Sequence, residues 1–136
     1  MNNLAFLPPK MQVLERTYWP DPDLLQKLLF VMFDPPSFTQ LYDFVAKGVL
    51  EAYSTGDGLI LIETANWRRG RELSIYGMVG RGILRNGKAI VEDLKALAKY
   101  KGCNMIGGEG VPKGWQRAAP KLGFEPVSTH YLMELD

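Results

Sequence analysis

The sequence has little of the residue types that build metal sites and disulfides. It holds one cysteine, Cys103, and one histidine, His130, among 136 residues. A single cysteine excludes an internal disulfide framework and a cysteine-based zinc site, and a single histidine argues against a histidine-rich metal site. We therefore predict no metal. Cys103 lies in a short apolar run, so we predict a packing residue rather than a nucleophile. His130 is predicted to lie at the surface.

The sequence also lacks an excess of charge and a long apolar run. The net charge of +1 gives no signal for nucleic acid or for an anionic membrane. No apolar run approaches the roughly 20 residues of a membrane span, and Met1–Lys10 carries no signal-peptide pattern. The hydrophobic fraction of 46% is typical of a globular protein. We predict cytosolic synthesis and one domain, residues 11–136, after an extended, apolar, proline-containing arm, residues 1–10.

The first third of the chain predicts one strand and two helices. Asp21 followed by Pro22 is typical of a helix start, and Pro35-Pro36 ends that helix. Ser37 with Gln40 three residues later forms a capping box for the second helix. The predicted elements are a strand at Met11–Tyr18, a helix from Pro22 to about Asp34 and a helix at Phe38–Lys47.

The middle of the chain predicts three strands and a long helix. Thr55–Gly58 and Asn66–Gly70 have the composition of hairpin turns, and Gly80–Gly87 is predicted to be a glycine-rich turn. The long helix is predicted to begin at an Asn86 N-cap and to end at a left-handed Gly102. Its spacing predicts that Glu92, Asp93, Lys95 and Lys99 are exposed. The predicted elements are strands at Val49–Ser54, Leu59–Trp67 and Arg71–Val79 and a helix at Lys88–Lys101.

The last third predicts a strand at Cys103–Gly107, a short helix at Trp115–Leu122, and strands at Phe124–Thr129 and Tyr131–Leu135. The order is therefore β-αα-βββ-α-β-α-ββ, which is an α/β (α+β) fold class.

The turn at Gly80–Gly87 is the first candidate for a binding site. A strand leads into a glycine turn with two arginines and no acid, and the turn opens a helix. Free N–H groups and the helix dipole at such a place favour a phosphate. The alternative, which we favour on these residues alone, is an ordinary strand-to-helix connection.

The order of the elements, together with Lys-Gly-Cys-Asn-Met-Ile at residues 101–106 and Lys-Leu-Gly-Phe-Glu-Pro-Val at residues 121–127, resembles the GNAT superfamily of acyl-CoA-dependent N-acetyltransferases. The resemblance covers about Leu50 to Asp136. It implies a mixed, mostly antiparallel central sheet with helices on both faces, and acetyl-CoA in an opening beside the third strand of the meander. The cofactor-binding residues that it implies are Met78, Val79, Gly80, Arg85, Asn86, Gly87 and Lys88.

The sequence departs from the family's pattern at three positions. The family's turn reads Gln/Arg-x-x-Gly-x-Gly/Ala, and alignment on Gly87 and Ala89 places Leu84 at its first position. Many members carry an asparagine at the start of the last helix, and a tyrosine that often acts as general acid for the departing thiolate. These positions are Pro112 and Ala119 here. The replacements leave open whether the chain is an enzyme.

Two residues remain as catalytic candidates. Glu63 lies where some members place a carboxylate that deprotonates the amine through water. The alternative, which we favour, is a strand carboxylate that faces solvent or pairs with Arg71. Tyr131 is the second candidate, and Tyr76 is considered beside it. The cluster formed by Arg68, Arg69 and Arg71 is interpreted as a solvated hairpin tip.

A narrower pattern, which joins Gly102-Cys103, Gly114-Trp115, Arg117 and Gly123-Phe124, resembles small GNAT-like proteins encoded among tailed-bacteriophage virion genes. It implies synthesis in the bacterial cytoplasm, packaging in a virion, and contacts with other virion proteins or with a second copy. Trp115 with Arg117 either marks a partner surface or caps the core.

Two functions remain. The first, favoured narrowly on Leu84, Pro112 and Ala119, is a virion-associated, non-catalytic protein that acts through protein contacts, near the portal or tail or inside the particle. The second is an active acetyltransferase that transfers acetyl from acetyl-CoA to an amine.

Overall fold

The computed structural model describes residues 8–32, 35–109, 119–127 and 130–135, with the backbone only at residues 84, 109, 125–127 and 130–132. The strands are β1 Glu15–Thr17, β2 Glu51–Thr55, β3 Gly58–Trp67, β4 Gly70–Val79, β5 Met105–Glu109, β6 Glu125–Val127 and β7 His130–Glu134. The helices are α1 Pro22–Val31, α2 Phe38–Ala46, α3 Arg81–Arg85 and α4 Gly87–Tyr100.

The seven strands form one sheet in the order β1-β2-β3-β4-β5-β7-β6. Five of the described strand pairs are antiparallel, and β4 with β5 is the parallel pair. Because the chain crosses from β4 to β5 through α3 and α4, this parallel pairing needs the long connection that the sequence provides. The predicted fold class, a mixed and mostly antiparallel sheet, is confirmed.

Helices cover both faces of the sheet, as the alternation of β3 requires. Leu59 and Leu61 pack with α1 and α2 in one core cluster. Ile60 and Ile62 point the other way and pack with α3 and α4 in the second cluster. Successive side chains of a strand face opposite sides, so an apolar run such as Leu59–Ile62 marks a strand buried on both faces.

The predicted helix boundaries hold where the signals are local. The Asp21 side chain accepts the Asp23 N–H, and Ser37 and Gln40 make both hydrogen bonds of the capping box. Gly102 has φ +72°, the left-handed conformation expected after α4. The end of α1 was predicted too late, because the backbone is already extended at Met32 (φ −83°, ψ 144°).

Two strands begin later than predicted because their first N–H groups are used elsewhere. Val49 and Leu50 donate to the Phe44 carbonyl at the end of α2, so β2 begins at Glu51. In the first strand, the N–H groups of Gln12, Val13 and Leu14 donate to the Asp93 carboxylate at 2.7, 2.8 and 2.9 Å. The ladder of β1 therefore begins only at Glu15.

The prediction that Asp93 is exposed on α4 is wrong. Asp93 is 2% exposed, although Glu92 beside it faces solvent. A buried carboxylate needs hydrogen-bond donors, and the segment before β1 supplies three backbone N–H groups. Asp93 thus attaches the N-terminal end of the described chain to the middle of α4.

The prediction that Gly80–Gly87 is a plain turn is also wrong. Residues Arg81–Arg85 form the short helix α3, and α4 then begins at Gly87. Three other predictions fall partly or wholly outside the described residues. Of the predicted Trp115–Leu122 helix the structure describes a helical turn at residues 119–121. Pro112, Trp115 and Arg117, and most of the N-terminal arm, lie outside.

Candidate functional site

The pairing between strands β4 and β5 ends halfway along β4. Their register runs from Glu72 opposite Met105 to Ile75 opposite Gly108. Beyond Ile75, β4 continues to Val79 in register with β3, while the far end of β5 is paired with β7. Within the described chain, the last four residues of β4 therefore have a strand partner on one side. This arrangement produces an opening between β4 and β5 at the end of the sheet where α3 begins.

A β-bulge lies at the start of that opening. Leu61 faces Gly77 and Ile62 faces Ile75, so Tyr76 is an extra residue of β4. Tyr76 and Gly77 both face α1: Tyr76 packs against the α1–α2 core, and a Cβ on Gly77 would lie 2.8 Å from the Leu28 side chain. A bulge leaves the backbone of its extra residue outside the regular ladder.

The N-terminus of α4 lies at the same end of the sheet. The side chain of its N-cap residue does not cap the free N–H groups of the first turn. Asn86 occupies the N-cap position as predicted, but its side chain makes no capping hydrogen bond. Its Nδ2 instead donates to the Gly82 carbonyl at 3.1 Å. Because the first intrahelical bond is Ile90 N–H to Asn86 C=O, the N–H groups of residues 87–89 have no acceptor within their own helix.

The predicted cofactor residues divide into two groups. Arg85, Asn86 and Lys88 are exposed around the start of α4, where their charges and donors face solvent. The Met78 side chain is 3% exposed and belongs to the core under α4, so only its backbone is available to a ligand. Val79, at the end of β4, packs toward α1, and Gly80 and Gly87 begin the two segments that follow.

Glu63 lies on the α1 side of the sheet near two other titratable residues. Burial, followed by the negative charge of Glu72, raises the pKa of Glu63. Burial, followed by the charge of Glu63, raises the pKa of Tyr76. Glu72 is itself 1% exposed, and its burial had no signal in the sequence. Glu63 therefore lies close enough to Glu72 on one side and to Tyr76 on the other for the charges to interact.

Of the two alternatives considered for Glu63, exposure to solvent or pairing with Arg71, the structure does not show the pairing. The Arg71 Nη2 donates to the Thr64 hydroxyl at 3.2 Å, and Arg69 pairs with Glu134. In the part of the chain that is described, the Glu63 carboxylate makes no salt bridge. The arginine cluster is exposed, which agrees with a solvated hairpin tip.

The other predicted residues have simpler outcomes. Ala119 is 2% exposed and packs in the core, so no general acid stands at that position. Tyr131 lies on β7 opposite Gly108, and its side chain is outside the described atoms. Cys103 is buried, and burial raises the pKa of its thiol, in agreement with a packing role. Among the described residues no group of three or more His, Cys, Asp or Glu could hold a metal ion.

One further pocket lies between α1 and the β2–β3 hairpin. It measures about 710 Å³ and is lined by Asp21, Leu24, Lys27, Gly56, Asp57, Gly80 and Arg81. It reaches the end of β4 at Gly80 and Arg81, but none of its lining residues belongs to β5, so it is distinct from the gap between β4 and β5. Within the described residues, no helix is long and apolar enough to cross a membrane.

Comparison with solved structures, rather than with sequences, identifies this architecture. No protein-family model matches the sequence, and neither does any curated protein. Among solved structures, the crystal structure of AtaTR bound with AcCoA is similar, with a TM-score of 0.56 at 15% sequence identity over 89% of this chain and 91% of the other. AtaTR is an acetyltransferase of the GNAT family. At this level of identity the likeness concerns the fold alone, and the chain has a GNAT-like fold.

Proposed function

We propose that this chain binds acetyl-CoA in the opening between β4 and β5 and transfers the acetyl group to an amine. The observation that carries the proposal is the start of α4, where the N-cap side chain turns away to Gly82 at the open end of β4. Three N–H groups and the positive end of a 14-residue helix remain there for an anion. The bound AcCoA of AtaTR, in a similar fold, supports the choice of ligand.

The residues at this place fit a pyrophosphate. The N–H groups of Gly87, Lys88 and Ala89 are directed out of the helix start, and the Arg85 and Lys88 side chains add two exposed positive charges. Gly87 has no side chain to cover the first N–H groups of α4, so the backbone can approach a phosphate closely.

When bound, acetyl-CoA supplies an activated thioester. Tyr76 is the extra residue of the bulge and lies where β4 and β5 separate, and in this proposal its backbone N–H donates to the thioester carbonyl oxygen. Glu63 is the general base. Its raised pKa brings it closer to that of the ammonium group whose proton it removes. Tyr131, opposite Gly108, remains the candidate general acid, because Ala119 cannot donate a proton.

Calorimetric titration of the purified protein with acetyl-CoA tests the binding step. We expect a dissociation constant in the micromolar range, since anchoring at a helix N-terminus with two cations is retained. Absence of binding at millimolar ligand would refute the proposal.

Thiol release from acetyl-CoA, measured over a panel of primary amines, tests the transfer step. Glu63→Gln should lower kcat/KM at neutral pH by about 100-fold, because general-base catalysis contributes on that order. Glu92→Gln is the matched control, since Glu92 is an exposed glutamate on α4 whose partner is Lys95. Equal activity in the two variants would remove Glu63 from the mechanism.

The virion-associated, non-catalytic function remains a second proposal. The observation in its favour is exposed aromatic surface around α1, where Trp19 is 74% and Phe30 is 82% exposed. Exposed aromatic side chains are enriched at protein interfaces. Synthesis in a bacterial cytoplasm, packaging in a phage particle, and contact with other virion proteins or a second copy belong to this proposal. Recovery of the chain with density-purified particles supports it, and recovery only in the unpackaged fraction refutes it.

A further inference from the structure

The hairpin between β2 and β3 is hydrogen-bonded to the start of α4 through three consecutive links. The Asp57 Oδ1 accepts the Gly82 N–H at 2.8 Å. The Gly82 carbonyl accepts both the backbone N–H and the Nδ2 of Asn86, each at 3.1 Å. The Asn86 carbonyl then accepts the Ile90 N–H at 2.8 Å, which is the first bond of α4. One carboxylate on the hairpin is thus connected to the helix start.

The fit between the hairpin and the end of β4 is close enough to exclude side chains. Gly80 has φ +113°, and a Cβ on it would lie 2.5 Å from the Gly58 Cα and 2.6 Å from the Asp57 carbonyl oxygen. A Cβ on Gly82 would lie 2.7 Å from Asp57 Oδ1. Glycine is required at Gly80 both for its backbone conformation and for this approach. The two glycines bring the backbone against the hairpin, and the Asp57 carboxylate fixes its orientation.

We propose that Asp57 is a positioning residue for the cofactor, which it never touches. It holds the Gly82 peptide, and through Asn86 it sets where the free N–H groups of α4 point relative to β4. The Asn86 side chain is kept on Gly82 and so does not cap the helix, which leaves those N–H groups for the pyrophosphate. The inference rests on the proposed acetyl-CoA site and adds to it a residue 30 positions earlier in the sequence than Gly87.

The expected effect follows from the fraction of molecules that hold the binding-competent arrangement. Without the carboxylate, Gly82 loses a charge-assisted acceptor, and a segment that contains two glycines samples other conformations. If about one molecule in ten keeps the competent arrangement, the apparent dissociation constant for acetyl-CoA rises about tenfold. A ligand that does not use the α4 N-terminus should be unaffected.

The test is calorimetric titration of the full chain and three variants with acetyl-CoA, together with NMR titration with S-acetylpantetheine, which lacks the pyrophosphate. Asp57→Ala should weaken acetyl-CoA binding about tenfold and leave S-acetylpantetheine binding unchanged. Asp57→Asn retains an acceptor oxygen and should restore most of the affinity. Gly56→Asn is the control on the same hairpin, because nothing lies within 4 Å of a Cβ there and asparagine tolerates its φ of +54°.

The variant Asn86→Ala keeps the inference testable if Asp57→Ala does not fold. It removes one of the two bonds to the Gly82 carbonyl and should also weaken acetyl-CoA binding selectively. Because both side chains act on one residue, Gly82, the double variant should lose less than the product of the single losses. Wild-type affinity in Asp57→Ala, or equal weakening of both ligands, overturns the role of Asp57 while acetyl-CoA binding by the wild type stands. Failure of the wild type to bind overturns both.

Discussion

Replacing Asp93 with alanine should detach the segment before β1 from α4. The carboxylate is 2% exposed and accepts the N–H groups of Gln12, Val13 and Leu14 at 2.7, 2.8 and 2.9 Å. A hydrogen bond to a charged group contributes about 1.5–3 kcal/mol, but water can replace the acceptor for the exposed Gln12 and the half-exposed Val13. Leu14 is buried and would be left with an unsatisfied donor. We therefore expect a loss of about 3–4 kcal/mol in the free energy of unfolding.

Urea unfolding followed by circular dichroism measures this loss as a shift of the midpoint at nearly constant slope. Asp93→Asn keeps one acceptor oxygen but turns its amide NH2, itself a donor, toward the backbone N–H groups that the second oxygen accepted, so its loss should approach that of alanine. Glu92→Ala, one residue away on the exposed side of α4, should change stability by less than about 0.5 kcal/mol. A cost below about 1 kcal/mol for Asp93→Ala would mean that the three bonds do not hold the segment.

Three further outcomes are expected. Gly87→Glu should abolish acetyl-CoA binding in calorimetry, since it places a carboxylate at the α4 start; unchanged affinity would remove that turn from the cofactor site. Burial would raise the pKa of Glu51, but hydrogen bonds from Lys101 and Tyr53 outweigh it and hold the pKa of that carboxyl below its ordinary value. The stabilisation that ionised Glu51 provides is therefore complete above the pKa of the unfolded chain and is lost as pH falls through the pKa of the folded protein. The difference in unfolding free energy between wild type and Glu51→Gln should accordingly narrow in urea titrations from pH 7 to pH 3. Gly80→Ala should cost at least about 3 kcal/mol in the same assay, because it combines a steric clash with a left-handed backbone, whereas Gly102→Ala, with open space around it, should cost about 1–2 kcal/mol.

The parts of the fold that were predictable depend on signals within a few residues. The capping box of Ser37 and Gln40 and the Asp21 N-cap are local, so the sequence locates α1 and α2. The apolar run Leu59–Ile62 predicts a central strand because both of its faces are buried. The order of these elements, together with the motifs at residues 101–106 and 121–127, indicated the GNAT-like sheet.

The features that were missed depend on contacts between distant residues. Asp93 has the spacing of an exposed position on its helix, and only the backbone 79 to 81 residues earlier explains its burial. The bulge at Tyr76 depends on the register of β3, which no local pattern of β4 encodes. Asp57 was interpreted as a turn residue, because the composition of a hairpin does not indicate what packs against it. In the candidate site, sequence reasoning therefore located the helix start and missed what orients it.

The parallel pairing of β4 with β5 divides the sheet into two halves that differ in how they are assembled. In the first half, β1 to β4 are neighbours in space in the same order as in the chain, and each described contact between them is antiparallel. The second half, β5 to β7, joins the first through a ladder of four residue pairs between β4 and β5, and the Arg69–Glu134 ion pair lies beside that ladder. Loop closure across α3 and α4 makes this junction the less local step of folding. A ligand bound beside the junction would require both halves to be in contact. Its binding would therefore slow the separation of the two halves and would not stabilise either half by itself.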